Sequence, residues 1–347
     1  MIISIFNKSI FLSLFLSLLV IGNLSAEEYD MAEDGENRAV KAAGNLVGQL
    51  APILNLKTIN DQKIDLSKSL GKKPIYLKFW ATWCVPCNEQ MAKFKKIYSE
   101  LGDKMTIIAV NTGFNDNAKS AKKYVKKKKL PMPVVIDDGT LAGVFKLKVT
   151  PMHVVIGRDG KIAHIGHKDG EKLDKALKGV IDQKVNPKLK FENAPKKKQL
   201  AIGSQVKELN FNTLDSKKIV LKKGSKNIRA LMFLAPWCET YLLESRPEMA
   251  RSCKKVRLEV EPLLSNKKIE WYGVSSNLWV NKQEVVDYKK TTGTKLELVY
   301  DNSGELFRYF SIQKVPTIIL IDQNNKIIKR IDSNSKSIKG ILSKFLK

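Results

Sequence analysis

The sequence predicts an α/β chain of two tandem units, each a central mixed β-sheet flanked by α-helices. Three observations carry this. From about residue 46, short apolar runs alternate with amphipathic segments, the pattern of strands covered by helices. The pattern then starts again: "GQLAPILNLKTINDQKIDL" (48–66) resembles "GSQVKELNFNTLDSKKIVL" (203–221), "YLKFWATWC" (76–84) resembles "LMFLAPWC" (231–238), and "KVTPMHVVIGRDGKI" (148–162) resembles "QKVPTIILIDQNNKI" (313–327). Three matches in the same order mark an internal duplication, with a period too long for a solenoid. Finally, "KVNPKLKFENAPKKKQ" (184–199) has two prolines, many lysines and no apolar period, and reads as a basic linker between the copies.

The elements follow in order. Residues 1–26 carry one early lysine, Lys8, an apolar run from Ile10 to Ile21, and a small residue, Ala26, before Glu27. That is the layout of a secretory signal. The run is short of the roughly 20 apolar residues of a membrane span, although an uncleaved signal would serve as an N-terminal anchor. The expected location is therefore the periplasm or the exterior, where disulfides persist. Residues 27–45 are polar and acidic, with little to bury. In the first unit, 46–183, "PIYLKFW" (74–80) reads as a buried strand. "NEQMAKFKKIYSEL" (88–101) reads as one helix with Met91, Phe94, Tyr98 and Leu101 on one face. A strand (105–111), a basic helix (117–128), a short apolar strand (132–138), a hairpin turning at Arg158-Asp159-Gly160 and a closing helix (170–181) complete it. The second unit, 200–347, repeats the plan, but its segment after Cys238 is about ten residues longer, and the surplus contains Cys253.

The formal net charge of +26 is largely lysine, as in "KKYVKKKK" (122–129). No basic stripe is interleaved with aromatics as in single-stranded nucleic-acid platforms, so no nucleic-acid partner is expected. The four cysteines, Cys84, Cys87, Cys238 and Cys253, are too few in 347 residues for a disulfide scaffold.

Cys84 and Cys87 stand three apart at a predicted helix start, on one face and within disulfide reach. A thiolate at that end is favoured by the unpaired N–H groups and the helix dipole, and is the nucleophile of thiol–disulfide exchange. Pro86 suits a first turn, and Cys87 is placed to resolve a mixed disulfide. A cis peptide at Thr150-Pro151 would hold a backbone edge opposite the pair, open to an extended substrate segment.

With these residues in place, the 46–183 segment resembles the TlpA-like group of exported thiol–disulfide oxidoreductases, a redoxin family of thioredoxin fold. "FWATWCVPC" and the "VTP" before "VVIGRDGKI" carry the resemblance, which extends more weakly over 200–347. It implies a thioredoxin fold and no bound cofactor; with the duplication, that makes two tandem thioredoxin-like domains, and no metal is expected. It also implies electron exchange with Cys-containing exported proteins and with a thiol or disulfide redox partner. Cys84 becomes the nucleophile, Cys87 the resolving thiol, Pro151 the cis-proline, and Trp83 and Thr150 join Pro151 in substrate binding.

Two departures from that pattern stand out. The acid expected six residues before the first cysteine is Lys78, and the glutamate expected three after the second is Gln90, with Glu89 one residue early. Lys78 is expected either to favour the thiolates, balanced by Glu89, or to snorkel to solvent. A closed zinc site would need a second ligand pair, and there is no second CxxC. The alternative function is a copper-handling protein using Cys84, Cys87 and a nearby Met152 or His153.

In "LAPWCETY", Cys238 holds the nucleophile's position, Tyr241 the resolving cysteine's and Pro316 the cis-proline's. Cys238 acts alone, pairs with Cys253, or belongs to a silent binding module. On one straight helix the two cysteines would stand roughly 22 Å apart, but Pro247 interrupts the segment. A Cys238–Cys253 disulfide, structural in role, is the expectation.

Overall fold

The computed structural model describes residues 30–185, 190–195, 200–332, 335 and 337–346. The signal read in 1–26 and parts of the 184–199 segment lie outside the described residues. Residues 32–347, which carry both sheets, form one body.

Helix α1 (Met31–Ala43) corrects the expectation that the acidic lead-in has little to bury: Gly35, Glu36, Ala39 and Ala43 are all buried. The Glu36 carboxylate accepts the N–H groups of His167 (2.7 Å) and Lys168 (2.9 Å), which compensates its burial. A Cβ on Gly35 would stand 2.5 Å from the His167 ring, so only glycine lets α1 come this close.

A two-stranded ribbon, β1 (Asn55–Lys57) with β2 (Lys63–Asp65), precedes the first sheet. That sheet begins with β3 (Ile75–Trp80), continues through α2 (Val85–Glu89), α3 (Met91–Leu101), β4 (Thr106–Asn111), α4 (Ala118–Lys128), β5 (Val134–Ile136) and α5 (Thr140–Val144), and ends with β6 (Met152–Ile156), β7 (Ile162–Gly166) and α6 (Glu171–Ile181). The strand order is β5-β4-β3-β6-β7. β3 runs parallel to β4 and antiparallel to β6, and as the central strand it is buried at all six positions. The helix read through 88–101 is broken at Gln90, which stands between α2 and α3 at φ −76° and ψ −1°. Met91, Phe94 and Ile97 form the buried face of α3.

The second unit repeats this plan. β8 (Leu209–Asn212) and β9 (Lys218–Leu221) form the ribbon. β10 (Ile228–Leu234), α7 (Leu242–Ser245), α8 (Pro247–Val260), β11 (Ile269–Ser275), α9 (Lys282–Thr292), β12 (Glu297–Tyr300), α10 (Glu305–Tyr309), β13 (Thr317–Ile321), β14 (Ile327–Asp332) and α11 (Ile338–Leu346) follow. The order β12-β11-β10-β13-β14 matches the first sheet strand for strand. Two tandem thioredoxin-like domains, each a mixed sheet with flanking helices, are therefore present.

The surplus segment folds as α7 and α8 with a break at Arg246, where Pro247 opens the new helix. The break turns the chain back, so Cys253 on α8 is disulfide-bonded to Cys238 with Cα atoms 6.2 Å apart. The bond closes a loop of sequence separation 15. Cys253→Ser is expected to lower the unfolding free energy by about 3 kcal/mol. Urea denaturation of the single variant and of a Cys238→Ser/Cys253→Ser double variant checks this. An unchanged midpoint would mean that the crosslink constrains nothing.

Candidate functional site

Cys84 is the N-cap of α2, with extended backbone, and Pro86 lies in the first turn. The Cys87 N–H donates to Cys84 Sγ at 3.2 Å, and the two cysteines form a disulfide with Cα atoms 5.2 Å apart. Both are packed under the sheet's end: Cys84 is 3% exposed and Cys87 0%. The Thr150-Pro151 peptide is cis, and the Thr150 carbonyl oxygen stands 3.4 Å from Cys84 Sγ. Trp83 is fixed by its indole N–H, which donates to the Phe114 carbonyl at 2.7 Å. Thr82 is fixed by its N–H and hydroxyl, which both donate to Asp116.

A buried polar chain lies on the strand side of the pair. Lys78, wholly buried in β3, donates to Gln90 Oε1 at 3.0 Å. His153 faces Lys78 in the β3–β6 register, and its Nε2 stands 3.0 Å from the same oxygen. That oxygen only accepts, so His153 carries its proton on Nε2, and Nδ1 then accepts the Tyr76 hydroxyl at 2.7 Å. Gln90 Nε2 donates to the His167 carbonyl at 3.2 Å, while His167 Nδ1 donates to the Pro151 carbonyl at 2.7 Å. The chain thus links the helix carrying Cys87 to the proline opposite Cys84.

Two expectations change here. Lys78 does not snorkel to solvent. Its described partner is Gln90, while Glu89 is exposed. The break at Gln90, invisible in the apolar spacing, is where the two elements join. His153 has both ring nitrogens engaged, so it is not free to join Cys84 and Cys87 as a copper ligand; Met152 is likewise buried in β6.

Burial pushes Lys78 down to about 7 and pushes His153 well below its ordinary value; His164 and His167 are also lowered by burial. These four groups therefore bind fewer protons in the folded protein than in the unfolded chain, in two windows. From pH 6.5 downward, unfolding lets the three histidines charge, which lowers stability on acidification, while Asp137, raised by burial to about 6, and Asp301, also raised by burial, offset part of that loss. From about pH 7 toward 10.5, the unfolded lysine holds a proton that the buried one releases, so stability rises with pH. Urea midpoints across pH should show both arms. Lys148, which burial lowers to about 8, adds to the alkaline arm, so Lys78→Met should reduce that slope without removing it. It should also ease the depression of His153 and His167 that the Lys78 charge adds to; an unaltered alkaline slope would contradict this reading.

The second copy faces the first. Trp83 and Trp237 stack with ring centroids 4.9 Å apart. The Tyr241 hydroxyl accepts the Val85 N–H at 3.2 Å, so the residue standing where a resolving cysteine was expected is a contact on the neighbouring motif. Arg246, at the α7–α8 break, donates to the Thr82 carbonyl and hydroxyl at 3.2 and 2.9 Å.

The contacts are related by an approximate two-fold. Strand registers equate Asn115 with Trp279, Lys148 with Gln313 and Thr150 with Val315. Asn115 N–H donates to the Gln313 carbonyl, and Trp279 N–H to the Lys148 carbonyl, each at 2.7 Å. Asn115 and Trp279 both have left-handed backbone, with φ of 54° and 55°, a rare conformation for side chains of this size. The Trp279 indole N–H donates to the Thr150 carbonyl at 3.2 Å, and Val315 N–H donates to Asn115 Oδ1 at 2.9 Å. Each cis-proline edge is thus occupied by a loop of the other unit. Val315-Pro316 is also cis, and Cys253 Sγ lies 4.0 Å from the Val315 carbonyl, as Cys84 does beside Thr150. The Thr150-Pro151 edge, expected to be open to an extended substrate, lies instead at this covered interface, where Trp83 stacks on Trp237. Sequence reasoning passed over Asn115 and Trp279, and read Gln90 only as a departure from the family pattern, not as the joint of the buried chain. The one readable signal was the duplication, which makes Asn115 and Trp279 counterparts.

A disulfide of this spacing, capping a helix beside a cis-proline on this sheet, defines a thiol–disulfide oxidoreductase of thioredoxin fold. Residues 47–165 match the model of the AhpC/TSA family. Thioredoxin-like protein YneN of Bacillus subtilis is 31% identical over 140 residues, 40% of this chain and 82% of that protein. Thiol-disulfide oxidoreductase ResA of Bacillus cereus is 33% identical over 143 residues, 41% of this chain and 79% of its own length. A thioredoxin-family thiol:disulfide interchange protein from Chlorobium tepidum superposes on 38% of this chain and 96% of its own, with TM-score 0.35 and 20% identity. The chain belongs to this family of thioredoxin-like thiol–disulfide oxidoreductases.

Proposed function

We propose that the protein is an exported oxidoreductase that exchanges disulfides with Cys pairs of other exported proteins through Cys84 and Cys87, under the cover of its own second domain. The carrying observation is the placement of Cys84 Sγ between the Cys87 N–H, at 3.2 Å, and the carbonyl before the cis-proline, at 3.4 Å. A thiolate at Cys84 keeps that N–H as a donor and attacks a partner disulfide. The attacked sulfur stays on Cys84 while the other leaves as thiolate. Cys87, one turn on, then attacks Cys84 Sγ, re-forms the intrachain disulfide and releases the reduced partner, so two electrons pass. In reverse, the same steps oxidise a dithiol partner.

Export is supported by the apolar run ahead of Ala26 and by two disulfides that an oxidising compartment would preserve. The second domain is assigned the regulation of access. Its Trp279 takes the Thr150 carbonyl that an extended substrate would pair with, so a protein substrate reaches this edge when the two units part. Lys78 is assigned the tuning of the thiols through Gln90, a role the sequence had shared with Glu89. Turnover of a peptide disulfide by the full chain tests the reading as a whole, and its absence would overturn it. Alkylation of reduced Cys84 at equal rates in wild type and Lys78→Met would remove the assignment to Lys78.

A further inference from the structure

With the Thr150 edge covered, Cys84 still lines a cleft of about 520 Å³. Trp83, Val85 and Asn88 form its floor, α4 one wall, and Ser245 and Arg246 of the second unit the other. The α4 wall presents Ser120, Lys123, Tyr124 and Lys127 at helical spacing, with Lys128 beside them. Four cations therefore surround this approach, and no aspartate or glutamate lines it. Lys123, Lys127 and Lys128 have no ion-pair partner among the described residues. Asp116, which anchors this wall, spends its carboxylate on Thr82, Asn111 and Ser120. Cys87 is wholly buried and does not line the cleft, so a small reactant meets Cys84 first.

We propose that this cleft admits a low-molecular-weight thiol bearing carboxylate groups, and its disulfide, as the redox partner that recharges Cys84 and Cys87 while the two domains remain closed. The volume suits a ligand of a few residues' size, and a cationic cleft concentrates anions and speeds their encounter. In the reducing direction one thiolate attacks Cys84 Sγ, the Cys84–Cys87 bond breaks and Cys87 leaves as thiolate. A second thiolate attacks the partner's own sulfur in the mixed disulfide, which frees Cys84 as thiolate and releases the partner's disulfide. Two thiols lose the two electrons that the protein gains. In the opposite direction the partner's disulfide reoxidises the pair.

The proposal rests on the oxidoreductase reading, and the test separates the two. The oxidised full chain is mixed with mercaptosuccinate, 2-mercaptoethanol or cysteamine, which carry negative, neutral and positive substituents. Reduction of the Cys84–Cys87 bond is followed by quenching with an alkylating reagent and mass spectrometry, with each rate corrected for its thiolate fraction. Mercaptosuccinate is expected to react roughly tenfold faster than cysteamine at low salt, with the gap closing at high salt. In a Lys123→Glu/Lys127→Glu protein the ratio of the mercaptosuccinate rate to the 2-mercaptoethanol rate should fall to about one or below. Equal corrected rates for the three thiols in the wild type, or a ratio unmoved by the charge reversal, would overturn the proposal. If even 2-mercaptoethanol leaves the bond intact, the oxidoreductase reading itself falls and takes this one with it.

Discussion

Cys84→Ser is expected to abolish peptide-disulfide turnover, by at least about a thousandfold, whereas Cys87→Ser should stall with its partner attached. The asymmetry follows from the site. Cys84 lines the approach and its sulfur accepts the Cys87 N–H, so it is the sulfur that attacks and is attacked. Cys87 has no exposed surface and meets only what is already bonded to Cys84. Without Cys84 no covalent intermediate forms. Without Cys87 the intermediate forms and persists, visible as a higher-mass species on a non-reducing gel that a reductant collapses. The Cys238–Cys253 bond is untouched by either substitution, so loss of turnover cannot be laid to the second crosslink if thermal denaturation is unchanged. Residual turnover in Cys84→Ser near the wild-type level would place the chemistry elsewhere.

Trp279→Ala is expected to raise turnover of protein disulfides. Trp279 contributes an indole hydrogen bond to the Thr150 carbonyl and an edge-on contact with His167 at 5.3 Å between ring centroids. Its truncation removes one partly buried hydrogen bond and part of an aromatic contact, about 2 kcal/mol in favour of closure. An open form that is scarce in the wild type would then rise by roughly thirtyfold, up to the limit of complete opening. Substrates that need the Thr150 edge should gain accordingly. Insulin reduction by the full chain measures this, with circular dichroism and a melting curve to show that the fold is retained. A rate equal to or below the wild type in a folded variant would mean that closure does not limit access. Arg38, which pairs with Glu284 on the second unit at 2.7 Å and with Asp34 at 2.6 Å, keeps part of the closure in place in this variant.

The duplication and the Cys pair are legible in the sequence because both are local. A strand buried on two faces reads as an apolar run, and a Cys pair spaced for one helix turn reads as a motif. The two units and Cys84, Cys87, Pro151 and Pro316 can therefore be named from residue order alone. The break at Gln90 is not legible: Met91, Phe94 and Ile97 keep helical spacing after it, and the break serves side-chain bonds to Lys78 and His153 that only the folded sheet brings together. Helix α1 is misjudged for a related reason. Its buried carboxylate, Glu36, finds its partners in the N–H groups of His167 and Lys168, more than a hundred residues away. Tyr241 is legible as a missing cysteine but not as a contact, because periodicity describes what an element buries within its own unit. Docking of one motif face on the other depends on single residues with unusual backbone, Asn115 and Trp279, that carry no apolar pattern.

Cys84 as the exchanging sulfur, and the second domain as the part that governs which partners reach it, can be tested together. The measurement is mass mapping of the species that reduced Cys87→Ser protein traps from a disulfide-bonded protein substrate, with and without Trp279→Ala. The predicted result is a partner sulfur bonded to Cys84 in every trapped species, with more trapped in the Trp279→Ala background. A partner bonded to Cys238 or Cys253, or equal trapping in the two backgrounds, would contradict it.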